Sequence, residues 1–329
     1  MITIHCGLHK TGSSAIQLAL RASLAAERIA VPVPGQPTSV ELLSSSLRRL
    51  PEDGILSDEH MLGTAFDGYK SVASRMAMVN DVLSGRRFQL VVYVRPQLRW
   101  LESLYIQGVQ MGWMEDPGVF VERVTSSPWI SWQLLTSHLV DVSRAERVVI
   151  RPYRTGVNVV SDFANVIGSR KLAAQAYRGF RVNQSLSPRR AQLMHLALAA
   201  GVMEDRDAIS MRAMLSTTPN LQDGEPESIF PVALQQEITS RYQHEWSETT
   251  REWTLEKSQS MYGSSDVSDE FAIRQYVGAD LSSPSLRSEL RDLVLRCASQ
   301  LTYDGKPPSL WRRLRMVTRS NASARKSGV

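Results

Sequence analysis

An α/β fold, built on a parallel sheet flanked by helices, is what this 329-residue sequence predicts. Three observations carry that expectation. Short apolar runs such as Phe88-Gln-Leu-Val-Val-Tyr-Val94 have the character of strands buried on both faces. They alternate with amphipathic stretches of helical period, the pattern of strand–helix–strand units. Beyond Ser187-Pro188 helical periodicity takes over, which places mainly helical additions from about residue 186.

Taken in order, Ile2–Cys6 reads as a buried strand and Ser13–Ala26 as a helix with Ile16, Leu20 and Leu24 on one face. Gly54–Ser57 reads as a short strand, followed by a helix over Lys70–Leu83. The Phe88–Val94 strand runs into Arg95-Pro96, and proline at the first helical position suits a helix through Gln110. Arg147–Pro152 is the next strand, with a helix over Val157–Ile167 after it. Ser187-Pro188 is an N-cap and N1 pair for a helix reaching Ala200, and Pro231–Glu256 and Ser285–Leu301 are helical candidates. The polar stretches Thr217–Pro226 and Tyr262–Ser268 read as loops.

Composition sets the outer limits. With 43% hydrophobic and 22% charged residues the chain has the makeup of a globular protein, and no run approaches the ~20 apolar residues of a membrane span. Met1-Ile-Thr-Ile-His5 lacks the basic and apolar regions of a signal peptide, so the expected location is cytoplasmic. Two cysteines, Cys6 and Cys297, make neither a disulfide framework nor a zinc spacing. Of 38 basic residues, seven lie between Lys306 and Val329, leaving 31 against all 33 acidic residues in 1–305. Charge confined to a tail argues against a nucleic-acid-binding body. The expected organisation is one α/β domain over 1–305 and a flexible basic tail over 306–329. Ser309-Leu-Trp-Arg-Arg-Leu-Arg-Met-Val317 has the composition for weak contact with an anionic membrane surface, and a solvated, frayed terminus explains it too.

The most informative segment is Gly7-Leu-His-Lys10-Thr11-Gly12-Ser13-Ser14, between the first strand and the first helix. A helix N-terminus offers unpaired N–H groups and the positive end of its dipole to an anion. Gly12 lets an anion approach the backbone, Lys10 supplies charge, and Thr11, Ser13 and Ser14 can donate hydrogen bonds. The competing reading is an ordinary turn with Ser13 as N-cap, which has no use for Lys10. The order is not that of a Walker A loop, whose lysine follows its second glycine.

Strand-Gly-x-x-Lys-Thr-Gly-Ser-Ser-x-x-x-Gln17 resembles the 5'-phosphosulfate loop of sulfotransferases that use 3'-phosphoadenylyl sulfate (PAPS), closest to the bacterial branch acting on carbohydrates and other small acceptors. Members of that family hold the 3'-phosphate with an arginine ending a strand and a serine eight residues on. Arg95 and Ser103 stand at that spacing, and a guanidinium and a hydroxyl suit a phosphate. Arg99, between them, reads more simply as a partner of Glu102 or of water. Weaker similarity runs through Val148–Tyr153, Asp162-Phe163, Gly168 and Arg181–Ser185, so the resemblance covers residues 1 to about 190. It implies a P-loop-like sheet, PAPS as sulfuryl donor, no metal requirement, and a carbohydrate, glycolipid or other small-molecule acceptor.

An acceptor hydroxyl must lose a proton. Gly54-Ile-Leu-Ser57-Asp58-Glu59-His60 resembles the family's strand ending in Ser-x-Glu, which nominates Glu59 as the base and His60 as second choice. The alternative is that Asp58 and Glu59 cap a following helix. Lys10 is the candidate to stabilise charge on the bridging oxygen. His5 and Cys6 read as core, and His138, His195 and His244 as unpaired for metal binding. Gln110-Met-Gly-Trp113-Met has the look of a pocket-lining loop. Two other function classes stay open: a P-loop-type small-metabolite kinase, and a non-catalytic nucleotide- or anion-binding module. Acceptor identity and oligomeric state are unreadable from the sequence.

Overall fold

The computed structural model of the protein describes residues 1–31, 38–153, 157–176, 186–202, 207–217 and 228–251, with 288, 290–292 and 294. Its centre is a five-stranded, all-parallel sheet flanked by helices. The strands are β1 (Ile2–Cys6), β2 (Ile29–Ala30), β3 (Ile55–Asp58), β4 (Phe88–Val94) and β5 (Arg147–Pro152). Their order across the sheet is β2-β3-β1-β4-β5. Every residue of β1 and β4 is buried, as expected of strands covered on both faces.

Helices follow the strands in turn: α1 (Ser13–Ser23), α2 (Val40–Arg49), α3 (Val72–Val82) and α4 (Gln97–Gln110). Next come α5 (Pro117–Thr125), α6 (Trp132–Val142), α7 (Val159–Val166), α8 (Arg170–Ala173), α9 (Pro188–Ala199), α10 (Ala208–Thr217) and α11 (Val232–Arg251). One core joins Ile16, Ala19 and Leu20 of α1 and Val160, Phe163 and Ala164 of α7 to Val91, Tyr93 and Val149 of the sheet. Ile2, Ile4, Leu90 and Val92, which alternate with the core-facing strand positions, are also buried. Burying roughly a dozen Leu, Ile and Phe side chains at ~1.5–3 kcal/mol each makes the sheet a rigid base for its loops.

The chain divides into two compact units. One comprises the described residues within Met1–Leu104, Gly118–Gln184 and Val232–Ser265, the other those within Tyr105–Pro117, Ser185–Pro231 and Asp266–Val329. In the second, α9 packs on α10, and the Tyr105 hydroxyl donates to the Glu115 carbonyl at 2.8 Å and meets His195 Nδ1 at 3.2 Å. Ser187 caps α9 as expected, accepting from the Arg190 amide. No helix among the described residues is long and apolar enough to cross a membrane.

The differences from the sequence reading are local. α1 stops at Ser23, where Leu24 turns extended, and a separate 3-10 turn spans Ala26–Arg28. β3 begins one residue late and includes Asp58. β2, α2, α5, α6, α8 and α10 carry weak local patterns and stand beyond the elements expected from periodicity. The Thr217–Pro226 loop lies mostly outside the described residues. The Tyr262–Ser268 loop, the tail and nearly all of the Ser285–Leu301 helix lie outside them too.

Candidate functional site

The strand order determines where a site can form. From β1 the chain runs outward through β2 and back to β3 on one side, then crosses to β4 and β5 on the other. The carboxyl ends of β1 and β4 therefore flank a topological switch point, where open α/β sheets bind ligands. Gly7–Gly12 leaves β1 there and Arg95 leaves β4, while Glu59 and His60 follow the neighbouring β3.

The loop after β1 is pinned at nearly every residue. The Gly7 amide donates to the Asp58 carbonyl at 3.2 Å. A side chain on Gly7 would meet Ser13 Oγ at 2.1 Å, so glycine is required for this close turn. The His9 amide donates to the Tyr69 hydroxyl at 3.0 Å, and the His9 carbonyl accepts from Trp100 Nε1 at 2.9 Å. Thr11 donates its hydroxyl to the Leu8 carbonyl. Lys10 sits at φ 66°, a left-handed conformation that costs a non-glycine residue about 1–2 kcal/mol and persists only where surroundings impose it.

Gly12 caps α1 from a left-handed conformation (φ 83°), packed against Val159 and Tyr153. This corrects the Ser13 N-cap reading. Ser13 is instead the first helical residue, and its buried hydroxyl has no hydrogen-bond partner among the described residues. No side chain caps α1, and its first turn holds no acidic residue. The helix therefore presents its N–H groups and dipole toward the loop. Ser14 follows on the same turn. Thr11, by contrast, is fully buried and closes the loop from within.

Arg95 reaches the loop from β4. Its Nη1 donates to the Lys10 carbonyl at 3.4 Å, and its guanidinium lies 5.8 Å from the Tyr153 ring centroid. The Arg95 carbonyl accepts from Trp132 Nε1 at 2.6 Å. Burial pulls the Arg95 pKa below its ordinary value, the charges of Tyr153 and Glu102 offset part of that, and no carboxylate comes within ion-pair distance of it among the described residues. Arg95 precedes α4 rather than belonging to it, while Arg99 and Ser103, four residues apart, share one edge of the helix. Ser103 is half-buried, two turns into the helix. Arg99 pairs with Glu102 at 3.2 Å, as the simpler reading expected.

Glu59 and His60 occupy a turn, not a helix start. Asp58 Oδ1 accepts from the His60 amide at 2.8 Å, and Arg75 Nη1 donates to the His60 carbonyl at 2.9 Å. No helix follows directly, so the capping alternative fails for Glu59. Burial raises the Glu59 pKa, and the Asp58 charge adds to the rise, while His60 and Lys10 pull the other way. The His60 ring stands edge-on to His9, centroids 4.8 Å apart. Burial, with the charges of His60 and Lys10, depresses the His9 pKa to about 3. The structure thus brings Lys10, Glu59 and His60 into one neighbourhood and adds His9, which the sequence reading passed over. His9 stands beside Lys10 in the loop, the one local signal that could have found it.

No family model, curated protein or solved structure matches this chain. Its reading therefore rests on the site itself. His5 and Cys6 are core residues, with His5 Nδ1 against Ser57 Oγ at 2.8 Å. Trp113 covers Gly108 within the second unit, where Met111 and Met114 are exposed. Asn183 and Ser185, at the end of the resembling region, lie outside the described residues.

Proposed function

We propose that the chain is a PAPS-dependent sulfotransferase that moves a sulfuryl group to an acceptor hydroxyl, of a carbohydrate or glycolipid. The observation that carries this reading is the pairing of two anion-seeking groups across the switch point. An uncapped α1 N-terminus with Lys10 stands on one side, and Arg95, half-buried without an ion-pair partner among the described residues, on the other. A doubly anionic nucleotide with phosphates at both ends of its ribose suits that arrangement. The loop's place on the central strand of the parallel order supports a P-loop-like sheet.

In this reading Gly12, Ser13 and Ser14 offer amides and hydroxyls to the 5'-phosphosulfate, and Thr11 keeps the loop in shape. Arg95 and Ser103 hold the 3'-phosphate. Bound PAPS supplies an electron-poor sulfur with a bisphosphate leaving group. Glu59 accepts the proton of the acceptor hydroxyl as its oxygen bonds to sulfur, and His60 is the second candidate for that role. Lys10 stabilises negative charge on the bridging oxygen as its bond to sulfur breaks. Positioning and charge stabilisation account for most of the barrier reduction, as in phosphoryl transfer.

Titration calorimetry tests the reading. Adenosine 3',5'-bisphosphate should bind without magnesium, and Lys10→Ala and Arg95→Ala should each weaken it at least about ten-fold. Undiminished affinity in both folded variants would sink the proposal, and magnesium-dependent ATP binding in its place would favour a kinase.

A further inference from the structure

Among the described residues one group of side chains has the makeup of a metal-ligand set: His9, Glu59 and His60. A potential ligand atom from each lies within 4.8 Å of the other two. We propose that these three residues form a binding site for a divalent first-row transition metal, zinc being the probe of choice. The inference does not depend on sulfuryl transfer.

Donor chemistry comes first. Two borderline imidazoles with one hard carboxylate suit zinc, cobalt, nickel or iron, and the imidazoles make the set a poor one for magnesium, which prefers oxygen. Three protein ligands leave coordination positions open, as in catalytic zinc sites. Metal–ligand bonds of ~2.0–2.2 Å place tetrahedral ligand atoms roughly 3.4 Å apart, so side-chain rotation of about an ångström closes the set.

The backbone beneath the set is held from three directions. Tyr69 accepts from the His9 amide, Trp100 donates to the His9 carbonyl, and Arg75 donates to the His60 carbonyl. Tyr69 also meets His9 Nδ1 at 3.4 Å. If Nδ1–H donates to that hydroxyl, which has a lone pair to spare, Nε2 is left bare for a metal. Metal-bound histidines commonly orient their second nitrogen in this way. A second observation concerns Asp58, which is fully buried, accepts from the His60 amide, and has a second carboxylate oxygen with no hydrogen-bond partner among the described residues. Lys10 opposes an added cation here, and the Glu59 and Asp58 carboxylates offset it. Where turnover is sulfuryl transfer, occupancy withdraws Glu59 from proton transfer.

The test uses the full chain, stripped with a chelator and titrated with zinc against a competing indicator. One equivalent should bind, and cobalt in the same site should show the visible absorption of a low-coordinate nitrogen–oxygen set. His9→Gln, His60→Gln and Glu59→Gln should each weaken zinc at least about ten-fold, and Tyr69→Phe by about ten-fold. His138→Gln should leave affinity unchanged. Circular dichroism in chelator checks that each variant is folded. His60 is only half-buried, so its variant remains informative should His9→Gln unfold. Absence of a stoichiometric site, or binding that survives both histidine substitutions, overturns the proposal. Adenosine 3',5'-bisphosphate titrated into the metal-free protein reads the nucleotide proposal separately.

Discussion

The carboxyl ends of β4 and β5 each place an arginine next to the sheet edge, and the two are treated in opposite ways. Arg151, in β5, grips Asp162 of α7 through Nε at 3.0 Å and through Nη2. Tyr93 donates to the same carboxylate at 2.8 Å. Every charge in that corner is matched. Arg95, after β4, has a backbone carbonyl and an aromatic ring as contacts, feels the Glu102 charge from beyond ion-pair distance, and has no salt bridge among the described residues. Desolvating a guanidinium without an ion-pair partner costs free energy, and the proposed nucleotide would supply that partner. The paired arginine holds the fold; under the proposed reading the other meets the nucleotide.

Substitutions can break that contrast. The largest effect is expected from Lys10→Ala, which should lower sulfuryl-transfer turnover by about 10²–10³-fold with the melting temperature almost unchanged. Radiolabelled transfer to a glycan acceptor measures it. Arg95→Ala should weaken adenosine 3',5'-bisphosphate by about ten- to a hundred-fold and leave stability near wild type. Arg151→Ala should do the reverse, costing ~1–3 kcal/mol in urea titration because Asp162 is left without its cation, with nucleotide affinity kept. If the two arginine variants behave alike, the distinction drawn here is wrong.

Gly12→Ala belongs to both corners, because Gly12 packs against Val159 of the helix that carries Asp162. Its φ of 83° forces a side chain into the left-handed region, so the variant should lose about 1–2 kcal/mol and bind nucleotide more weakly. The smallest effect is expected at the other end of β4. Arg87 and Glu146 form an exposed pair that holds the Glu146 pKa below its ordinary value. The stabilisation is present above the ordinary glutamate range and lost as pH falls through the lowered value. Glu146→Gln should barely change the melting temperature at neutral pH and leave no difference in acid.

Much of the frame was legible because buried parallel strands are apolar along their whole length. β1 and β4 are buried from end to end and β5 at its centre, Val149 and Ile150, and all three begin and end where the apolar runs predict. α2 shows why other elements were not: its buried stripe is only Leu43 and Leu47, interrupted by three serines. Two-residue β2 is a strand only because β3 lies beside it. In the site, Lys10, Gly12 and Arg95 were legible because loop chemistry and strand ends are local features. Thr11 shows the limit, since a hydroxyl in the right loop can still turn inward.

Composition and pattern by themselves determined a parallel α/β core and a glycine- and hydroxyl-rich loop with one lysine at its first turn, since burial and helix-dipole effects act within a few residues of chain. The meeting of His9 with Glu59 and His60, and of Arg95 with Lys10, was decided by tertiary structure alone. Parallel pairing in register sets Cys6 beside Asp58 and Cys6 beside Val92, so three distant turns emerge at one edge. No local preference of the chain encodes that alignment; it follows from the packing of whole strands.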